Sequence, residues 1–196
     1  MLISVLLADL LKLLLKEFTS SHTVSSIAET LKISRVGTWK ALKTLEKDGL
    51  IRLDKISSKK TATFTANLNW ENPLTEKALA LILAKEASDH KKWVATFNSL
   101  EKKHDFLLLY GSILHSPKKA RDVDVLLITK DFRGARKSFE KIQVTQLNKV
   151  HALILAEEEL QQEIKSNNKA IIDALRRGVV LFGQESFVKL IKSMER

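Results

Sequence analysis

Residues 122–129 read DVDVLLIT. After the second aspartate the run is continuously apolar, which fits a core strand bounded by polar residues. Such a strand needs neighbours in its sheet, and the sequence supplies them. DFLLLY (105–110), VHALILA (150–156) and GVVLFG (178–183) have the same character. Helical stretches, among them AEEELQQEIKSN and NKAIIDALRR, lie between. Strands separated by helices indicate an α/β or α+β domain over residues 105–196.

Two carboxylates open this strand. Side chains alternate along a strand, so Asp122 and Asp124 share a face. Carboxylates that close repel each other and resist burial. A divalent cation removes both problems, and oxygen-only ligands suit Mg²⁺ or Mn²⁺ rather than zinc. Lys118, Lys119 and Arg121 lie just upstream and offer neutralisation without metal. Gly111-Ser112 stands where the preceding strand ends. Glycine permits a tight turn there, and free N–H groups beyond it can hold phosphate oxygens. Antiparallel pairing of the two strands would bring that turn beside the carboxylates.

The first 70 residues follow a different pattern. VSSIAETL (24–31) is a short amphipathic helix, and Ser34 is a good N-cap for a second helix that Gly49 ends. LIRLDKI and TATFTANL then read as two strands around the polar tip SSKK. Thr38, Leu42 and Leu45 recur at helical spacing and belong to the core. Arg35, Val36, Trp39, Lys40 and Lys43 fall on the other side. Trp39 can stack on a ligand or pack against the hairpin, and packing is preferred because a large aromatic is seldom left wet. Gly37 either allows close approach of a duplex or is merely tolerated near a helix start.

Three helices and a hairpin, with ISRVGTWKALKTL followed by LEKDGLI, resemble a winged helix-turn-helix over about the first 68 residues. That resemblance implies double-stranded DNA as a partner. The helix carrying Arg35, Lys40 and Lys43 would enter the major groove, and Lys59 and Lys60 at the wing tip would reach the backbone or the minor groove. Farther on, YGS…DVDVLLI resembles the minimal nucleotidyltransferases of the DNA polymerase β superfamily over about residues 104–185. By that likeness Gly111 and Ser112 hold the phosphates of an NTP, most simply ATP. Asp122 and Asp124 hold Mg²⁺ or Mn²⁺ and act catalytically, and a nucleoside monophosphate passes to a hydroxyl acceptor. The family's third carboxylate has no counterpart on VHALILA. His151 is the only ligand-capable residue there, and Glu157 follows the strand. A regulator that binds nucleotide without catalysis is therefore the alternative to an enzyme.

The expected architecture is α+β: a winged helix at 1–70, a connecting helix at 71–104 and a nucleotidyltransferase-like domain at 105–196. The connector opens at Pro73 and has a polar middle at which it can break, at Ser88-Asp89. The formal net charge of +10 favours a polyanionic partner. With no cysteine, disulfides and thiolate metal sites are excluded, and a cytoplasmic setting is expected. SVLLADLLKLLLKEF (4–18) is too short and too charged to span a membrane and makes a poor signal peptide, so no membrane partner is expected. A surplus apolar face on it would serve a homodimer. By the nucleotidyltransferase likeness, a small helical protein is another partner.

Overall fold

The apolar run near the N-terminus forms α1 (Val5–Lys16), which buries Leu10, Leu11, Leu14 and Leu15. A reciprocal cap between Thr23 and Ser26 starts α2 (Val24–Thr30). Ser34 starts α3 (Arg35–Lys47) by accepting the Gly37 N–H at 3.0 Å. Thr38, Leu42 and Leu45 are fully buried, as their spacing implies. Two strands follow, β1 (Ile51–Lys55) and β2 (Phe64–Leu68), paired antiparallel from Ile51 opposite Leu68 to Lys55 opposite Phe64. The computed structural model of the chain describes residues 4–56 and 63–194, so Lys59 and Lys60 lie outside the described residues.

The expected single connector is two helices, α4 (Pro73–Ser88) and α5 (Lys91–Glu101). The break falls at the polar Asp89-His90 step. The chain divides into two units between Ile82 and Leu83, inside α4. The Thr75 hydroxyl at the start of α4 donates to the Asn69 carbonyl at 2.8 Å. Ala87 near its end and Trp93, Phe97 and Leu100 of α5 lie in the core of the second unit. So α5 is a core layer of that unit, because its apolar stripe is needed to cover a sheet.

The second unit continues with β3 (Phe106–Tyr110), the single turn α6 (Ser112–His115), β4 (Asp122–Ile128) and α7 (Phe132–Val144). It closes with β5 (Lys149–Leu155), α8 (Glu157–Lys165), α9 (Lys169–Arg177), β6 (Val179–Phe182) and α10 (Gln184–Met194). The four strands run in the order β5-β4-β3-β6. The β4–β5 pair is parallel and the other two are antiparallel. Leu107, Leu109, Val123, Val125 and Leu127 point to one face and pack with α5 and α7, where Phe97 meets Phe139 edge-on at 6.2 Å. On the opposite face, Phe106 packs edge-on against Phe187 of α10. The chain is thus a mixed α+β protein with, among the described residues, ten helices and two small sheets. No helix among them is long and apolar enough to cross a membrane.

Candidate nucleotide site and nucleic-acid face

β4 begins with its polar residues half-buried and its apolar ones fully buried, which places Asp122 and Asp124 on the face away from α5 and α7. Antiparallel pairing sets Tyr110 opposite Asp124, so Gly111 follows directly beside that carboxylate. Gly111 has φ 82° and ψ −161°, a region open essentially to glycine alone. A Cβ there would also run into the Asp124 carboxylate. The sequence suggested a turn glycine; the register shows that its missing side chain makes room for Asp124. Ser112 is exposed at the start of α6.

Parallel pairing with β5 sets Lys149 opposite Asp122 and His151 opposite Asp124. The His151 Nδ1 lies 3.6 Å from Asp124 Oδ1, close enough for charge attraction when the ring is protonated but too long for a hydrogen bond. Both side chains reach solvent, with 46% of His151 and 30% of Asp124 exposed. β5 runs four residues beyond His151 to Leu155, about 13 Å along the strand, and Glu157 begins α8 past that end. Glu157 therefore cannot reach the carboxylates, and its Oε1 accepts from Gln161 at 3.2 Å. Burial, and then the charge of Asp124, raise the pKa of Tyr110. The phenol stays protonated beside the carboxylates.

Among the described residues no group of three or more His, Asp or Glu side chains is arranged to hold a metal ion. Two carboxylates on one open strand face nevertheless match what Mg²⁺ takes from a protein when a nucleotide supplies the remaining oxygens. Asp122 and Asp124 would hold such an ion, and Gly111 and Ser112 would border the phosphates.

In the first unit, α3 exposes Arg35, Val36 and Lys40. Among the described residues Arg35 and Lys40 make no ion pair. Lys43 is held at 2.6 Å by Glu46 and lies 5.2 Å above the Trp39 ring. Trp39 packs against Phe64 of β2 with ring centroids 5.2 Å apart, so the hairpin holds it. The two rings, Arg35, Val36 and Val24 line an open groove of about 430 Å³. At Gly37, whose N–H the Ser34 hydroxyl accepts, a Cβ would lie only 3.1 Å from that hydroxyl oxygen, a tight fit that glycine avoids. No protein-family model, no curated protein and no solved structure matches this chain.

Proposed function

We propose that the chain is a winged-helix DNA-binding protein whose second unit has a nucleotidyltransferase fold and binds an NTP, most simply ATP, with Mg²⁺. The observation that carries the nucleotide reading is the seat of Asp124: a carboxylate beside Asp122 on an open strand face, against a glycine whose backbone no other residue adopts. A bound divalent cation would supply charge neutralisation and orientation of the phosphates. The residues of the chain would supply the rest. Asp122 and Asp124 fix the ion, the Gly111-Ser112 turn receives phosphate oxygens, and Lys149 adds a cation across the strand from Asp122. In the first unit, the helix–hairpin order supports duplex binding through the major groove, as do the exposed Arg35 and Lys40, which make no ion pair among the described residues.

One observation favours a second reading, in which an acceptor hydroxyl attacks the α-phosphorus of the NTP, so that the nucleoside monophosphate passes to the hydroxyl and pyrophosphate leaves. His151 stands beside Asp124, where a neutral imidazole can accept the hydroxyl proton.

Calorimetric titration with Mg²⁺ and a non-hydrolysable ATP analogue tests the binding claim. The wild type should bind, and Asp122→Ala/Asp124→Ala and Gly111→Ala should each lose at least 10-fold in affinity. Equal affinity in all three would sink it. Incubation with α-labelled NTP and cell extract separates the two readings, because only the second expects label transfer, lost in His151→Ala. Duplex binding should weaken with salt, with a logarithmic slope of about −0.9 per phosphate contacted, and should fail in Arg35→Ala/Lys40→Ala.

A further inference from the structure

A second concentration of positive charge lies around β4 and along α7. Residues 118–149 hold nine Lys or Arg and four Asp or Glu, so this stretch of 32 residues accounts for half of the formal net charge. Asp122 and Asp124 belong to the strand face described above. Asp131 is occupied as the N-cap of α7, accepting the Gly134 N–H at 2.9 Å. Glu140 is left as the acid on the helix surface.

α7 buries Ala135, Phe139 and Ile142 against the sheet. That fixes which residues it turns outward. Arg133, Arg136, Lys137 and Lys141 recur at intervals of three and four and form one stripe, with Lys130 just before its start. All five are exposed, and none makes an ion pair among the described residues. From Arg133 to Lys141 the stripe is about 12 Å long at 1.5 Å per residue. At its C-terminal end, the Asn148 side chain donates to the Ala120 carbonyl at 2.8 Å. This ties the α7–β5 loop to the segment carrying Lys118, Lys119 and Arg121. The cations therefore continue from α7 toward the end of the sheet where β4 begins.

At the other end of α7, Phe132 lies half-buried in an open groove of about 410 Å³ lined also by Arg133, Arg136, Lys137 and Glu140, so that three cations face one acid there. An aromatic ring among cations suits a base stacked on the ring with its phosphates on the guanidinium groups. Two arginines one turn apart on the same face suit phosphate in particular, because the planar fork donates two parallel hydrogen bonds. A base locked in a duplex has no free face to offer Phe132. We propose that the outer face of α7 binds single-stranded nucleic acid, with Arg133, Arg136, Lys137 and Lys141 on the backbone and Phe132 against a base. This surface is separate from α3 and does not depend on the winged-helix reading.

Fluorescence anisotropy on the full chain tests it with three labelled probes: a 20-nucleotide oligouridylate, a 20-nucleotide oligothymidylate and a 20-base-pair duplex. The wild type should bind both single strands with a logarithmic salt slope of about −2 to −3, that is, roughly −0.7 for each of three or four phosphates. Arg133→Gln/Arg136→Gln/Lys137→Gln/Lys141→Gln should weaken single-strand binding at least 10-fold and flatten the slope. Arg133→Lys/Arg136→Lys keeps the charge and should retain most of the slope. Phe132→Leu should weaken binding about 5-fold with the slope unchanged. Arg35→Ala/Lys40→Ala should leave single-strand binding intact, so failure of the winged-helix reading shows only in the duplex probe. Three results overturn the proposal: no binding of either single strand, wild-type affinity and slope in the quadruple Gln variant, or equal loss of duplex and single strand in that variant.

Discussion

α3 and α7 are built alike and present different surfaces. Each has 13 residues. Each is capped by the side chain just before it, Ser34 or Asp131, which accepts the N–H of a glycine three residues on. Each buries a narrow stripe: Thr38, Leu42 and Leu45 in one, Ala135, Phe139 and Ile142 in the other. The outer faces diverge. On α3, Val36 is 66% exposed, Trp39 leans on Phe64, and Glu46 holds Lys43. The stripe on α7 from Arg133 to Lys141 carries four cations around one acid, Glu140, and none of the four makes an ion pair among the described residues. Cations alone address phosphates, which carry no sequence information, whereas apolar groups beside cations can also touch base edges and thymine methyls. On the proposed reading, then, α3 selects and α7 holds.

The largest effect should come from the residue that makes the two faces differ most. Trp39→Ala removes a half-buried ring packed on Phe64 and should cost about 2 kcal/mol in urea denaturation. Arg136→Ala on the exposed face of α7 should stay within about 0.5 kcal/mol of the wild type. A comparable loss in the two would break the contrast. The caps test the likeness instead. Ser34→Ala and Asp131→Ala should each cost about 1 kcal/mol, and a large inequality would show that one helix is held by packing rather than by its cap.

The α7 cap has a titratable group beneath it that the α3 cap lacks. His104 is buried, and its Nδ1 lies 2.7 Å from the Thr129 hydroxyl oxygen, which also accepts the Asp131 N–H at 2.9 Å. Burial pushes the His104 pKa below the ordinary imidazole value and outweighs the upward pull of Asp131 and Asp105. With its folded pKa depressed, His104 binds fewer protons in the folded than in the unfolded chain. Its contribution to stability is therefore present above the ordinary value of about 6.5 and is lost as pH falls through the folded value. Denaturation midpoints measured from pH 7.5 downward should drop below about pH 6.5, and His104→Gln should flatten that drop. An unchanged profile in the variant would remove His104 as its cause. The smallest effect belongs to Lys43 and Glu46, whose side chains are 52% and 33% exposed. A double-mutant cycle on that pair should return only a few tenths of a kcal/mol.

Some of this was legible from residue order. The four strands of the second unit stand out because their apolar runs are uninterrupted, and Thr38, Leu42 and Leu45 because their spacing is helical. Sequence reading did not single out α7 or α10. In α7 the apolar stripe is reduced to three buried residues among closely spaced cations, with Gly134 in its first turn, so periodicity gives a weak signal. The surface that motivates the further inference was invisible for the same reason: a charge run in sequence has no face until the opposite stripe is known to be buried.

The sequence by itself determined that Asp122 and Asp124 share a face, because alternation is a property of any extended chain. It also set the strands of the second unit, through their local apolar runs. Only the tertiary structure decided what stands beside that face. Antiparallel register with β3 brings Gly111 against Asp124, and parallel register with β5 brings His151 to the same carboxylate. Register arises from packing between segments far apart in the chain, so residue order could name the carboxylates and the Gly111 turn as a neighbour but not the pairing that seats them together.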